Sequence, residues 1–166
     1  MTPLVPKVLT PKIIEIELKR LVGMHLTMSL ANNRTGELWR KLMPRRNEIT
    51  DPLTADLYSL QVYSSTHFSN FQLTNEFEKW ALMEVANFDH LPEGMETFLL
   101  PGGLYAVFDY QGLSNDPTVF QYIFTNWLPN SDYLLDTRPH FEILGEKYKN
   151  NDPASEEQIW IPIKPK

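Results

Sequence analysis

Glu142 sits between Phe141 and Ile143 in a segment that is otherwise apolar at its centre. A carboxylate among apolar neighbours is costly unless it is paired, because taking an ion out of water costs several kcal/mol. A lipophilic cation would supply both the missing charge and apolar area, and each well-placed ring adds about 0.5–2 kcal/mol through cation–π contact. The other reading of the residues, that Glu142 bonds backbone amides or reaches solvent at a sheet edge, stays open at this point. Twenty aromatic residues accompany it, 9 Phe, 7 Tyr and 4 Trp. Most belong to a core. The candidates for a ligand cleft are Trp160, Trp127, Tyr105, Trp80 and Trp39, with Gln158 beside Trp160 in the last strand. Trp39 and Trp127 serve equally well as helix-to-sheet packing.

Other chemistries find no residues. There is no Cys, which excludes a thiol nucleophile, a disulfide scaffold and thiolate-bound zinc. His25, His67, His90 and His140 show no HExxH or paired spacing, so no metal site and no cofactor is expected. Gly102-Gly103 is a turn pair without a phosphate-binding pattern, and no GxSxG elbow occurs. The basic cluster Arg40, Lys41, Arg45, Arg46 falls at a helix C-terminal end, where cations complement the macrodipole.

The elements that must position these residues follow from periodicity. The chain has 166 residues, 42% hydrophobic, and reads as a single domain over 1–166. Ile14, Ile16 and Leu18 alternate with charged residues, giving a strand that continues past Gly23 through residue 30, with Gly23 a bulge or a close approach. Residues 35–48 carry Leu38 and Leu42 on one helical stripe, with Pro44 as its stop. Strands follow at 57–64 and 77–86, the second alternating Trp80, Leu82 and Glu84 against Lys79, Ala81, Met83 and Val85. The Pro- and Gly-rich stretch 88–103 reads as a boundary. The order then repeats: a strand at 103–111, a helix from Asp116-Pro117 to Pro129, and strands at 140–148 and 157–164. Strand–helix–strand–strand occurs twice, in modules of about 12–87 and 98–164. The expected fold is α+β, with an antiparallel sheet, helices on one side and a cleft along a pseudo-twofold axis.

Charge is uneven. Residues 1–83 carry ten basic and eight acidic side chains, and residues 84–166 carry five and thirteen, within a total of −6. An acidic chain is a poor partner for nucleic-acid phosphates. No apolar run is long enough to span a membrane, and Met1 to Lys12 does not read as a leader, so the expected location is the cytoplasm.

The stretches LPGGLYAVFDYQG at 100–112, NWLP at 126–129 with the following SDYLLDTRPHFEI, the closing EQIWIPIK, and LWRKLMPRRNEI with LYSLQVY in the first half resemble, in their order, the GyrI-like family. This is the effector-binding domain of AraC-type and MerR-type multidrug-responsive regulators, also found as free-standing proteins. The resemblance implies a ligand cleft between two modules and places the family's cation-meeting glutamate at Glu142. It places a second acidic position of some members at Gln158, two before Trp160. Glu157, its neighbour, points to the opposite face. About a dozen residues precede the first strand, so a free-standing member with no direct DNA binding is expected, with a small hydrophobic or cationic molecule as partner. The resemblance leaves two alternatives: a hydrolase of reactive electrophiles, with Glu142 as base, or a protein-interaction module of the gyrase-inhibitor kind. No other catalytic residue is expected.

Overall fold

Alternation in the sequence becomes strand pairing, and every strand pair among the described residues is antiparallel. The computed structural model describes residues 9–166, so the reading of Met1–Lys12 as no leader lies largely outside the described residues. The strands are β1 (Lys12–Ile16), β2 (Lys19–Met28), β3 (Leu57–Val62), β4 (Phe77–Glu84), β5 (Glu96–Leu100), β6 (Gly103–Gln111), β7 (Tyr133–Leu135), β8 (His140–Leu144) and β9 (Glu156–Pro165). Helix α1 (Thr35–Leu42) runs into a 3₁₀ turn (Met43–Glu48). Helix α2 (Thr118–Tyr122) continues through a wide turn (Ile123–Trp127) into α3 (Leu128–Asn130). Asp116 holds the start of α2, its carboxylate accepting from the Thr118 amide at 2.9 Å.

The expected strand of residues 12–30 is two strands. Glu17 and Leu18 carry the chain from one edge of the sheet to the other, so that β1 pairs with β6 while β2 pairs with β4 and β5. The 88–103 stretch likewise contains a strand, β5, beside its turns. The resulting order is β1-β6-β9-β8-β3-β4-β2-β5, with β7 on β9. Read from the two ends, this order is symmetric: edge strand, long strand, outer strand, central strand. The pseudo-twofold axis passes between β3 and β8, where Leu57 to Gln61 pair with Leu144 to His140 and the middle pair is Ser59 with Glu142.

Both faces of this sheet are apolar, and they are buried differently. On one face lie the helices. Leu38 and Leu42 of α1 pack on Val22, Ala81 and Met83, while Val119 and Ile123 of the α2 segment pack on Ala106, Phe108, Ile159 and Ile161. On the other face no helix is present among the described residues. That face is buried because the sheet curls on itself, gathering Leu21, Tyr58, Leu60, Trp80, Leu82, Leu100, Tyr105, Val107, Phe141 and Trp160 into one cluster, with Ile14 and Ile16 from β1 packed against it. Gly102 shows how closely the two ends meet: a Cβ there would lie 2.6 Å from the Ile16 carbonyl oxygen. Gly23 is the close approach expected from sequence, since a Cβ would lie 1.9 Å from the Ala81 carbonyl oxygen.

The segment before β8 is fastened by Arg138. Its guanidinium donates to the carbonyls of Leu104 at 2.6 Å and Ile163 at 3.0 Å and to the Asp136 carboxylate at 3.1 Å, and it lies 4.7 Å from the centre of the Tyr105 ring. The Tyr105 hydroxyl donates to the Pro139 carbonyl at 2.9 Å. Together these contacts set the position of His140 and Glu142 along the central strand.

Candidate functional site

The two helices cover the flanks of their face and leave the central strands between them. Residues in register across an antiparallel sheet share a face. Glu142 is opposite Ser59 on one side and Ile159 on the other, and Ile159 packs on α2. Glu142 therefore faces the inter-helix groove. Glu157, two residues before Ile159, faces it too. Lys79, Gln61 and His140 form the next row across β4, β3 and β8. The groove floor is a polar strip in a face that is otherwise hydrophobic.

Its polar atoms are incompletely matched. Gln61 Nε2 donates to Glu142 Oε2 at 3.2 Å. Burial raises the Glu142 carboxyl above its ordinary range, opposed by the Lys79 charge and the Gln61 bond. Burial, with the Glu142 charge added, pushes Glu157 up to about 7, again opposed by Lys79. The Tyr63 phenol is pushed up by burial and by Glu142, and His140 is pushed down to about 3 by burial and by His67. At neutral pH the histidine is uncharged and the tyrosine protonated.

The groove has an open and a closed end. At the open end a cleft of ≈ 1490 Å³ is bounded by Met43 and Arg46 after α1, by Thr118 and Val119 of α2, and by Leu144, Tyr148 and Glu157. At the other end the 63–76 loop lays aromatic rings over the floor. Tyr63 meets the His140 ring edge-on at 4.9 Å, and Phe68 stacks on His140 at 5.4 Å and on Phe124 of the α2 segment at 5.3 Å. Phe68 thus bridges the loop to the helix. Phe68→Ala is expected to cost about 1–2 kcal/mol, the order of an aromatic cluster contact. Amide exchange should quicken in residues 63–76 and remain slow in β6 and β9, which hydrogen-exchange mass spectrometry would read.

The candidates chosen from sequence are divided between the two faces. Glu142 is on the helix-bearing face, though it is not among the residues that bound the open cleft. Trp160, Tyr105 and Trp80 are on the opposite face: Trp160 stacks on Phe141 at 5.1 Å, Tyr105 meets Trp160 edge-on at 5.8 Å, and Trp80 stacks on His25 at 4.2 Å. The expected single cleft holding them together with Glu142 is therefore corrected, because alternation sends residues 158 and 160 the opposite way from 157 and 159. Gln158 accepts from Trp160 Nε1 at 3.2 Å and is among the residues that bound the open cleft. Trp127 packs edge-on against Phe108 at 5.2 Å beneath the α2 segment, and Trp39 packs with the α1 cluster, so both flank the groove as helix-to-sheet contacts. Glu84, on Trp80's face, is held by Lys19 at 3.3 Å and by the Tyr58 hydroxyl at 3.2 Å. Glu157, Lys79, Tyr63 and Phe68 were not singled out as site residues. The parity that links Glu157 to Ile159 was present in the sequence; the aromatic cover from the 63–76 loop had no periodic signal.

The sequence profile of the GyrI-like small molecule binding domain matches residues 9–164. The chain belongs to the GyrI-like family. Among curated proteins, the transcriptional regulator BrlR of Pseudomonas aeruginosa is 28% identical over 156 residues, covering 92% of this chain and 54% of that protein. The chain thus spans about half the length of that relative. Two solved structures share the GyrI-like fold. The EcmrR C-terminal domain has a TM-score of 0.68 at 11% identity, covering 96% of this chain and 99% of its own. SAV2435 bound to tetraphenylphosphonium has a TM-score of 0.62 at 18% identity, covering 93% of each chain. Among the described residues no helix is long and apolar enough to cross a membrane, and no group of three or more His, Asp or Glu is placed to hold a metal ion.

Proposed function

We propose that this GyrI-like domain binds small hydrophobic cations in the groove between α1 and α2, with Glu142 as the charge partner and Glu157 as a second carboxylate at the open end. One observation carries the reading: two carboxyl groups whose ionisation burial opposes lie on a polar strip in an otherwise apolar face, with a single lysine near them. A cation with aromatic or aliphatic bulk would relieve both deficits at once. Tetraphenylphosphonium, the cation in the SAV2435 structure, is the natural first probe. By likeness to BrlR, the domain would serve as the ligand-sensing part of transcriptional control in the cytoplasm.

A thermal-shift comparison tests this. Tetraphenylphosphonium at 100 times its dissociation constant should add about 2.7 kcal/mol of apparent stability, and triphenylphosphine oxide, its uncharged analogue, much less. Equal shifts from both would overturn the cationic preference. They would turn attention to hydrolysis of a small electrophile, since a carboxyl titrating near 7 suits general acid–base work. No shift from either would overturn the small-cation reading and favour a protein partner.

A further inference from the structure

The pseudo-twofold axis relates two residues of opposite charge. Ser59 and Glu142 are the pair on the axis, Ser59 opposite Ala81 in β4 and Glu142 opposite Ile159 in β9. Two residues before Ala81 stands Lys79, and two before Ile159 stands Glu157. Equivalent places in the two halves thus carry a lysine and a glutamate, on the same face, with Glu142 between them. Lys79 makes no ion pair within 4.0 Å among the described residues. Its charge nevertheless favours ionisation of both Glu142 and Glu157. The other titratable groups at this end of the floor are neutral: His140 and His67 are kept uncharged by burial, and the Tyr63 phenol keeps its proton.

We infer that Lys79 sets the valence of the ligand: with both carboxyls ionised, the floor strip of Glu142, Glu157 and Lys79 carries a single net negative charge and selects monocations over dications. The inference deepens the reading above and rests on it. Charge complementarity excludes wrong partners more strongly than it attracts right ones, because an uncompensated charge in a desolvated groove is expensive. A monocation brings the floor to neutrality. A dication leaves one positive charge facing Lys79.

Ethidium and propidium test this, since they share a phenanthridinium ring system and propidium adds a quaternary ammonium. Binding is followed by fluorescence titration at pH 8.5, above the value of about 7 to which Glu157 is pushed, for the wild type, Lys79→Gln and Lys79→Arg. The wild type should favour ethidium. Lys79→Gln should tighten propidium by about tenfold and reverse or erase that preference, and Lys79→Arg should keep it. Melting curves establish that each variant is folded. An unchanged ethidium-to-propidium ratio in folded Lys79→Gln overturns the inference while leaving the cation site standing. A wild type that binds neither dye, and no tetraphenylphosphonium, overturns the proposed function and this inference with it.

Discussion

Glu142→Gln is expected to weaken tetraphenylphosphonium by about thirtyfold, roughly 2 kcal/mol, while leaving triphenylphosphine oxide nearly unchanged. The substitution keeps the shape of the side chain. The amide oxygen it introduces can still accept from Gln61, which donates to Glu142 at 3.2 Å in the wild type. What it removes is the formal charge at the middle of the groove floor, the position on the pseudo-twofold axis and the one flanked by both helices. The magnitude separates this role from a rim contact, because an exposed ion pair contributes only about 0–1 kcal/mol. Isothermal titration with the two probes is the measurement. A loss no larger than that of an exposed pair, or an equal loss for the neutral probe, would sink Glu142 as the charge partner. Turnover of an electrophile abolished in the same variant, with binding retained, would instead assign it as a base.

Much of the frame behind this expectation was legible in the residues. The alternation of Trp80, Leu82 and Glu84 against Lys79, Ala81, Met83 and Val85 is the observed division of β4 between the two faces, and Gly23 is the close approach that its place in a strand suggested. The α+β class and the strand that carries Glu142 also follow from the sequence. Besides strands β5 and β7, three features did not, for physical reasons. The break between β1 and β2 falls at Glu17-Leu18, which continue the alternation locally, and only pairing with β6 on one side and β5 on the other separates them. The choice of face was hidden because both faces are rich in large apolar residues. Ile159 and Ile161 beneath a helix look no different in sequence from Trp160 inside a curled sheet, and tertiary curvature decides between them. The aromatic cover at the closed end comes from an irregular loop, whose rings at 63, 67, 68 and 71 have neither helical nor strand period. Placing the large aromatics with Glu142 followed from their sharing strands with carboxylates and from the family resemblance, neither of which says which way each ring points.

Glu157→Gln is expected to stabilise the folded chain above neutral pH and to flatten its stability profile between about pH 4.5 and 7. In the folded state the Glu157 carboxyl titrates near 7, against an ordinary 4.5, because it is 9% exposed and faces Glu142. Between those values the folded state holds a proton that the unfolded chain has released. Stability therefore falls as pH rises through that window and levels off above it. The full displacement corresponds to a penalty on the order of 3 kcal/mol. Glu142 has the same sign and adds to the slope. Asp116 and Asp136, whose carboxyls are held below the usual range, act the opposite way and chiefly at lower pH. The difference between wild type and variant isolates Glu157 from these. Urea unfolding at half-unit steps from pH 4 to pH 9 would measure it, with the two profiles meeting at the acid end and the variant the more stable at pH 8. A cation bound at the open end should abolish most of that difference by raising the wild type, since it compensates the same charge. Parallel profiles for the free proteins would mean that Glu157 turns away to water, and the second carboxylate would then drop out of the groove.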